Sequence, residues 1–196
     1  MSQIKEVVST KKRKNPKKIG NSWEREFCKI LSKWVSPQSG DLLFWRSASS
    51  GALATIRNKK KLNSINMDGD ITCLDPQYSE LTKKIYFECK TVQSDDFNFW
   101  DSPKSSYLYH AIDETFDNAY NLKKLPFLAI KIRNSKTPKL IVLPESVLPS
   151  ISINPNYCVW RVNKNRYSFV VIKMSSFFDS NNWEKVIKLE NITNLH

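Results

Sequence analysis

Histidine is almost missing from the chain: His110 and His196 are the only two. That excludes a histidine-rich metal site and steers any metal chemistry towards carboxylates. The four cysteines, Cys28, Cys73, Cys89 and Cys158, contain no C-x-x-C pair. Their scatter, with three at core-facing positions, predicts reduced, buried thiols rather than disulfides or zinc ligands. No apolar run reaches the length of about 18 residues that a membrane helix needs, and the opening MSQIKEVVSTKKRK lacks the apolar stretch of a secretory signal. The expectation is a cytoplasmic protein that does not engage a membrane. Acidic residues are scarce too, 19 against 31 Lys and Arg, and the formal net charge of +12 favours a polyanionic partner.

What is present is organised around residues 67–90, MDGDITCLDPQYSELTKKIYFECK. The run 84–90 alternates, with Ile85, Phe87 and Cys89 on one face and Lys84, Tyr86, Glu88 and Lys90 on the other, so Glu88 and Lys90 project side by side. The run 70–74 follows a glycine and puts Ile71 and Cys73 opposite Asp70. Turn residues at 75–79 predict that the two runs form an antiparallel hairpin, which brings Asp70 near Glu88 and Lys90. An acid and a lysine alternating on a strand are, taken alone, most often a solvated sheet face. Two carboxylates close together repel, however, unless a cation sits between them, and a hard divalent ion with oxygen ligands is the common answer.

With 196 residues the chain has room for one domain and a small appendage. Residues 1–18 carry Lys5, Lys11, Lys12, Arg13, Lys14, Lys17 and Lys18 against Glu6 alone, and read as a flexible basic arm, either a solvated tail or a contact to phosphates. Residues 21–35 have helical periodicity: Trp23, Phe27, Ile30 and Trp34 form one stripe, with Cys28, Leu31 and Val35 beside it. Glu24 points towards the buried side and completes a capping box with Asn21, whereas Glu26 falls with Lys29 and Lys33 on the wet side. A strand at 42–45 leads into Arg46-Ser47-Ala48-Ser49-Ser50-Gly51-Ala52 and then Arg57-Asn58-Lys59-Lys60-Lys61, a long polar loop suited to phosphate contacts. Asp101-Ser102-Pro103 starts a second helix with a core stripe of Leu108, Ile112, Thr115, Ala119 and Leu122. A buried strand at 127–132 then argues for a crossover packed on the sheet. Further on come a strand at 140–143, a hairpin from 157–162 to Tyr167–Lys173 and a helical turn at 183–189. The aromatics there, Trp160, Phe169, Phe177, Phe178 and Trp183, read as core.

This order of helix, three strands, helix and strand, with Glu24, Asp70, Glu88 and Lys90 placed on it, resembles the PD-(D/E)XK nuclease superfamily over about residues 20–132. The strings Lys17-Lys18-Ile19-Gly20, Trp23-Glu24-Arg25-Glu26, residues 46–52, Gly69-Asp70-Ile71 and Glu88-Cys89-Lys90 look, more narrowly, like archaeal Holliday-junction resolvases and related phage or plasmid endonucleases. The fold implied is α/β: a restriction-endonuclease-like core (αβββαβ, a mixed central sheet flanked by helices) at 19–135, with a β-rich extension at 136–196 packed on it. The resemblance implies a Mg²⁺-dependent DNA endonuclease, with Mn²⁺ able to substitute. It makes Asp70, Glu88 and the Cys89 carbonyl metal ligands, Glu24 a direct or water-mediated metal partner, and Lys90 the group that orients or activates the attacking water. Ser47, Ser49 and Gly51 would place the scissile phosphate, while Arg46, Arg57, Lys59, Lys60, Lys61, Lys17 and Lys18 would contact DNA. The implied assembly is a homodimer, alone or inside a larger nucleoprotein or defence complex. Two features depart from the signature: Gly69 stands where a proline often precedes the aspartate, and the second helix has no convincing glutamine. A sequence-specific restriction-type endonuclease, an idle DNA-binding module of the same fold and a basic RNA-binding protein are the alternatives, the last without an RNA-module signature.

If the basic arm touches phosphates, removing residues 1–18 should flatten the salt dependence of DNA binding by about one unit of log–log slope for each phosphate the arm neutralises. Titrations of full-length and shortened protein at several ionic strengths measure this, and an unchanged slope marks the arm as idle.

Overall fold

This computed structural model describes residues 16–47, 68–93, 107–133, 139–152, 160–164 and 167–189. Helix α1 (Pro16–Val35) is followed by strands β1 (Phe44–Arg46) and β2 (Ile71–Cys73), which pair antiparallel. A 3-10 turn (Pro76–Tyr78) and helix α2 (Ser79–Lys84) lead into β3 (Ile85–Val92). Helix α3 (Tyr107–Asn121) crosses to β4 (Leu125–Ile132), then come β5 (Leu140–Pro144) and a 3-10 turn (Glu145–Ser150). Strands β6 (Trp160–Lys164) and β7 (Tyr167–Lys173) and helices α4 (Met174–Ser180) and α5 (Trp183–Ile187) complete the order.

Five strands form one mixed sheet in the order β3-β4-β5-β7-β6, in which only β3 and β4 are parallel. Strand alternation sorts its side chains into two cores. Phe87, Cys89, Phe127, Ala129, Ile141, Leu143, Val170 and Ile172 pack against Trp23, Phe27, Cys28 and Leu31 of α1. Leu128, Ile130, Val142, Phe169 and Val171 pack against Leu108, Ile112 and Phe116 of α3. β4 is covered on both faces, so it reads as a nearly continuous apolar run, as expected of a strand reached by a helical crossover. Phe169 and Phe177 are buried, and Phe178 and Trp183 pack against the α1 core. Cys28, Cys73 and Cys89 are buried thiols outside any disulfide. Among the described residues no helix is long and apolar enough to cross a membrane.

Several expectations need correction. The runs around Asp70 and Glu88 are not a hairpin with a tight turn. Asp75 accepts a hydrogen bond from the Gln77 N–H and nucleates the 3-10 turn that continues into α2, and β2 pairs with β1 instead. Helix α1 begins at Pro16, which takes Lys17 and Lys18 of the expected arm into the helix backbone, while residues 1–15 lie outside the described residues. Asn21 therefore lies inside the helix and caps nothing. Glu26 is half-buried between Lys131 and Lys139 rather than standing with the wet lysines. Leu122, expected in the core stripe of α3, is exposed because the chain turns there, with Lys123 at φ +55. The predicted helix start at 101–103 lies outside the described residues. Helix α4 was not legible, since its sequence Met174–Ser180 follows the apolar alternation of β7 without a cap signal.

Gly69 fixes how β2 approaches β3. Its φ is +76, and a Cβ placed on it would stand 2.5 Å from the Phe87 carbonyl oxygen. The glycine at this point of the signature is thus required by the backbone, because proline is locked near φ of about −65°. Gly69→Ala should cost about 2–3 kcal/mol from left-handed strain and the clash together, and Gly69→Pro more. Chemical denaturation of both variants measures this, and a wild-type midpoint for Gly69→Ala would show that the close approach is dispensable.

Candidate active site

Three backbone attachments assemble the site. The Asp70 N–H donates to the Phe87 carbonyl at 2.8 Å, and the Ser47 N–H donates to the Asp70 carbonyl at 2.7 Å. The Cys89 N–H donates to the Asp70 carboxylate at 2.8 Å. Asp70 is thereby held between the end of β1 and the middle of β3, and its side chain lies over the residue that separates Glu88 from Lys90. Two residues earlier, Asp68 pairs at 2.8 Å with Lys124, a buried lysine just past α3 that also donates to the Thr82 carbonyl at 2.9 Å. That pair ties the entry of the Gly69–Asp70 corner to the start of β4.

Around Asp70 each charge already has a partner. Lys90 Nζ lies 2.8 Å from Glu88, with both side chains mostly buried. The Tyr86 hydroxyl reaches the other oxygen of Glu88 at 3.5 Å and takes an equally long bond from Asn118 of α3. Glu24 of α1 accepts from Arg46 Nε at 2.7 Å, and Arg46 also donates to Asn21 at 3.0 Å. Arg46, expected as a phosphate contact, is buried and committed to these two residues. Its role as Glu24's partner was missed, and the only sequence signal was an arginine directly after a strand, opposite a helix acid.

Burial raises the Asp70 carboxyl to about 7, and the nearby charges of Glu88 and Glu24 add to the rise against the Cys89 N–H and Lys90. For Lys90 burial pulls downward, but the bond and charge of Glu88 outweigh it and leave the ammonium raised. Burial and Glu88 lift the Tyr86 hydroxyl to about 12. The Cys89 thiol is pushed well up by burial and Asp70 and stays protonated.

Asp70, Glu88, Cys89 and Lys90 are thus brought together, and Glu24 stands close enough to Asp70 to act on its ionisation. Ser47 joins them: it is buried beside Asp70, and its hydroxyl has no hydrogen-bond partner among the described residues. Ser49, Gly51, Arg57, Lys59, Lys60 and Lys61 lie outside the described residues, as do the side chains of Lys17 and Lys18. Among the described residues no three acidic, imidazole or thiol groups converge as a cation cage. The donor set nevertheless fits a hard divalent ion: carboxylate oxygens without imidazole, with Asp70 driven up by burial and by the neighbouring Glu88 and Glu24. In chemical terms the arrangement is a partly buried set of carboxylates with one charged lysine fixed beside it.

A family model described as phage putative PDDEXK endonuclease matches residues 15–188. No curated protein and no solved structure matches the chain.

Asp70 sets a pH dependence for the metal-free protein. An unfolded aspartate titrates near ~4, so between that pH and about 7 the folded chain holds a proton that the unfolded chain has released. The resulting stabilisation is fully present below about pH 4 and is lost as pH rises towards 7. Asp70→Asn should remove this slope and stabilise the metal-free protein at pH 8 by on the order of 1–2 kcal/mol. Denaturation in EDTA at pH 5 and pH 8 measures both effects, and a variant less stable than wild type at pH 8 would show that the carboxylates do not repel.

Proposed function

The chain belongs to the phage putative PDDEXK endonuclease family, and from that footing we propose that it is a Mg²⁺-dependent endonuclease hydrolysing phosphodiester bonds in DNA. The observation that carries the reading is the seating of the Asp70 carboxylate on the Cys89 N–H, between Glu88 and Lys90. The mixed α/β architecture fits a restriction-endonuclease-like fold, and the net charge of +12 suits a polyanionic substrate.

Asp70 and Glu88 would hold the metal, with Glu24 and the Cys89 carbonyl as further oxygen donors. Bound there, Mg²⁺ supplies a water of lowered pKa and neutralises charge that builds on the phosphate. The remaining work falls to the chain. Lys90, charged and mostly buried, donates to the attacking water or to the non-bridging oxygens as their charge grows, and in a site with little solvent this counts for more than in bulk water. Glu88 holds Lys90 in place, and Tyr86 with Asn118 limits how far Glu88 can swing. Arg46 fixes Glu24. Ser47 offers its unpartnered hydroxyl to the scissile phosphate, beside the carboxylate whose backbone it binds. An idle DNA-binding module would have no need to keep Asp70 destabilised between two acids. Cutting both strands is simplest with two such sites, which a homodimer supplies. Branched DNA, four-way junctions included, is the substrate class suggested by the resolvase-like strings at 17–20 and 46–52.

The test is cleavage of labelled linear duplex, flap, four-way junction and single strand with Mg²⁺, Mn²⁺ or EDTA. Cutting should require the metal and fall by about 10²-fold or more in Lys90→Ala, the scale seen when a transition-state donor is removed. Preference for the junction would support the resolvase-like reading over a restriction type. DNA binding without cutting in any condition would overturn the enzyme reading.

A further inference from the structure

We propose that Lys131, Arg133, Lys139 and the Thr91 hydroxyl form a second cradle, apart from the reacting set, that grips a backbone phosphate of DNA lying across the ends of β3, β4 and β5. The proposal rests on DNA being the substrate.

The sheet register puts these groups together. Thr91 is aligned with Lys131 in the parallel β3–β4 pair, two residues beyond the aligned Cys89 and Ala129, whose side chains face α1. Arg133 follows on the same face, its N–H bonded to the Val92 carbonyl at 2.8 Å. Leu140 pairs with Ile130 antiparallel, so Lys139 falls beside Lys131. From α1, Glu26 accepts Lys131 on one oxygen and Lys139 on the other, the latter at 2.7 Å. Both ammoniums lie over the Trp23 indole, 5.6 and 5.8 Å from its centre.

Three features make this more than a stitch between helix and sheet. Glu26 faces two lysines, and Arg133 follows Lys131 on the same face, so among the described residues the cations of the cluster outnumber its carboxylate. The lysines are preorganised: Trp23 is buried and its indole N–H is fixed on the Ala129 carbonyl at 3.0 Å, while the lysine side chains remain 38% and 36% exposed. They stand over a rigid platform, open to an incoming anion. Finally, the Thr91 hydroxyl and the Arg133 Nε are buried without a hydrogen-bond partner among the described residues. Two unmet donors beside excess positive charge call for an acceptor with several oxygens, which a phosphodiester provides. Strand spacing puts β5 about 10 Å from β3, within reach of the next phosphates along a strand whose residues rise ~3.4 Å each.

The test is binding of a labelled DNA duplex by the full chain in a Lys90→Ala background, with Mg²⁺ and with EDTA, across a range of salt, alongside thermal melting. Lys139→Ala should weaken binding several-fold and make the log–log salt slope shallower by about one, and Lys139→Arg should restore both. Glu26→Gln, which releases both lysines from their carboxylate, should tighten binding and steepen the slope. Thr91→Val should raise the melting temperature, because an unmet buried hydroxyl is removed, and yet weaken binding. If the parent binds DNA but Glu26→Gln and Thr91→Val leave affinity and slope unchanged, the cradle is refuted and the nuclease reading stands. A parent that binds no DNA in any arm removes both.

Discussion

The structure depends on the close passage of residues 69–70 over β3. A backbone with no side chain at Gly69 comes within contact distance of the Phe87 carbonyl, and the next N–H bonds to that same carbonyl. This joins the small β1–β2 pair to the five-stranded sheet. It also delivers a carboxylate to the Cys89 N–H, between Glu88 and Lys90, the other two candidate residues. A bulkier residue at 69 would lift β2 from β3 and take Asp70 with it. The Lys124–Asp68 pair secures the same corner from the α3 side, so both layers of the fold hold one short segment in place.

Charge around this corner is arranged in pairs that leave one member over. Glu24 has Arg46 and Glu88 has Lys90, but among the described residues the Asp70 carboxylate is held by a backbone N–H, and burial among acids raises it. A divalent ion bound there would relieve the repulsion that folding creates around Asp70. The cluster on the other side of α1 has the opposite imbalance, with cations in excess of Glu26. One helix therefore carries an acid towards each: Glu24 into the carboxylate set and Glu26 into the lysines. Trp23 lies between them, buried against the sheet.

The site was more legible than the path that builds it. Asp70, Glu88 and Lys90 stand out because an acid and a lysine alternate on an otherwise apolar strand, and a period of two needs no tertiary knowledge. Glu24 was placed by helical phase. The connection was misread, since Asp75-Pro76 starts a turn in either case and only packing of Leu81 and Tyr78 against the core decides for a helix. Arg46 and Glu26 were misassigned for a shared reason: a charge counts as exposed until a partner distant in sequence is known, and their partners lie 22 residues away or more.

The sequence by itself determined the alternation of faces, the two amphipathic helices, the placing of Glu88 and Lys90 side by side on one strand and the excess of positive charge, because each follows from local periodicity or composition. Tertiary structure alone decided that β2 pairs with β1, that Gly69 must pass close over Phe87, that Arg46 serves Glu24, and that Thr91, Lys131, Arg133 and Lys139 share one face. Those are matters of register between strands far apart in the chain, and register is set by which apolar faces pack together.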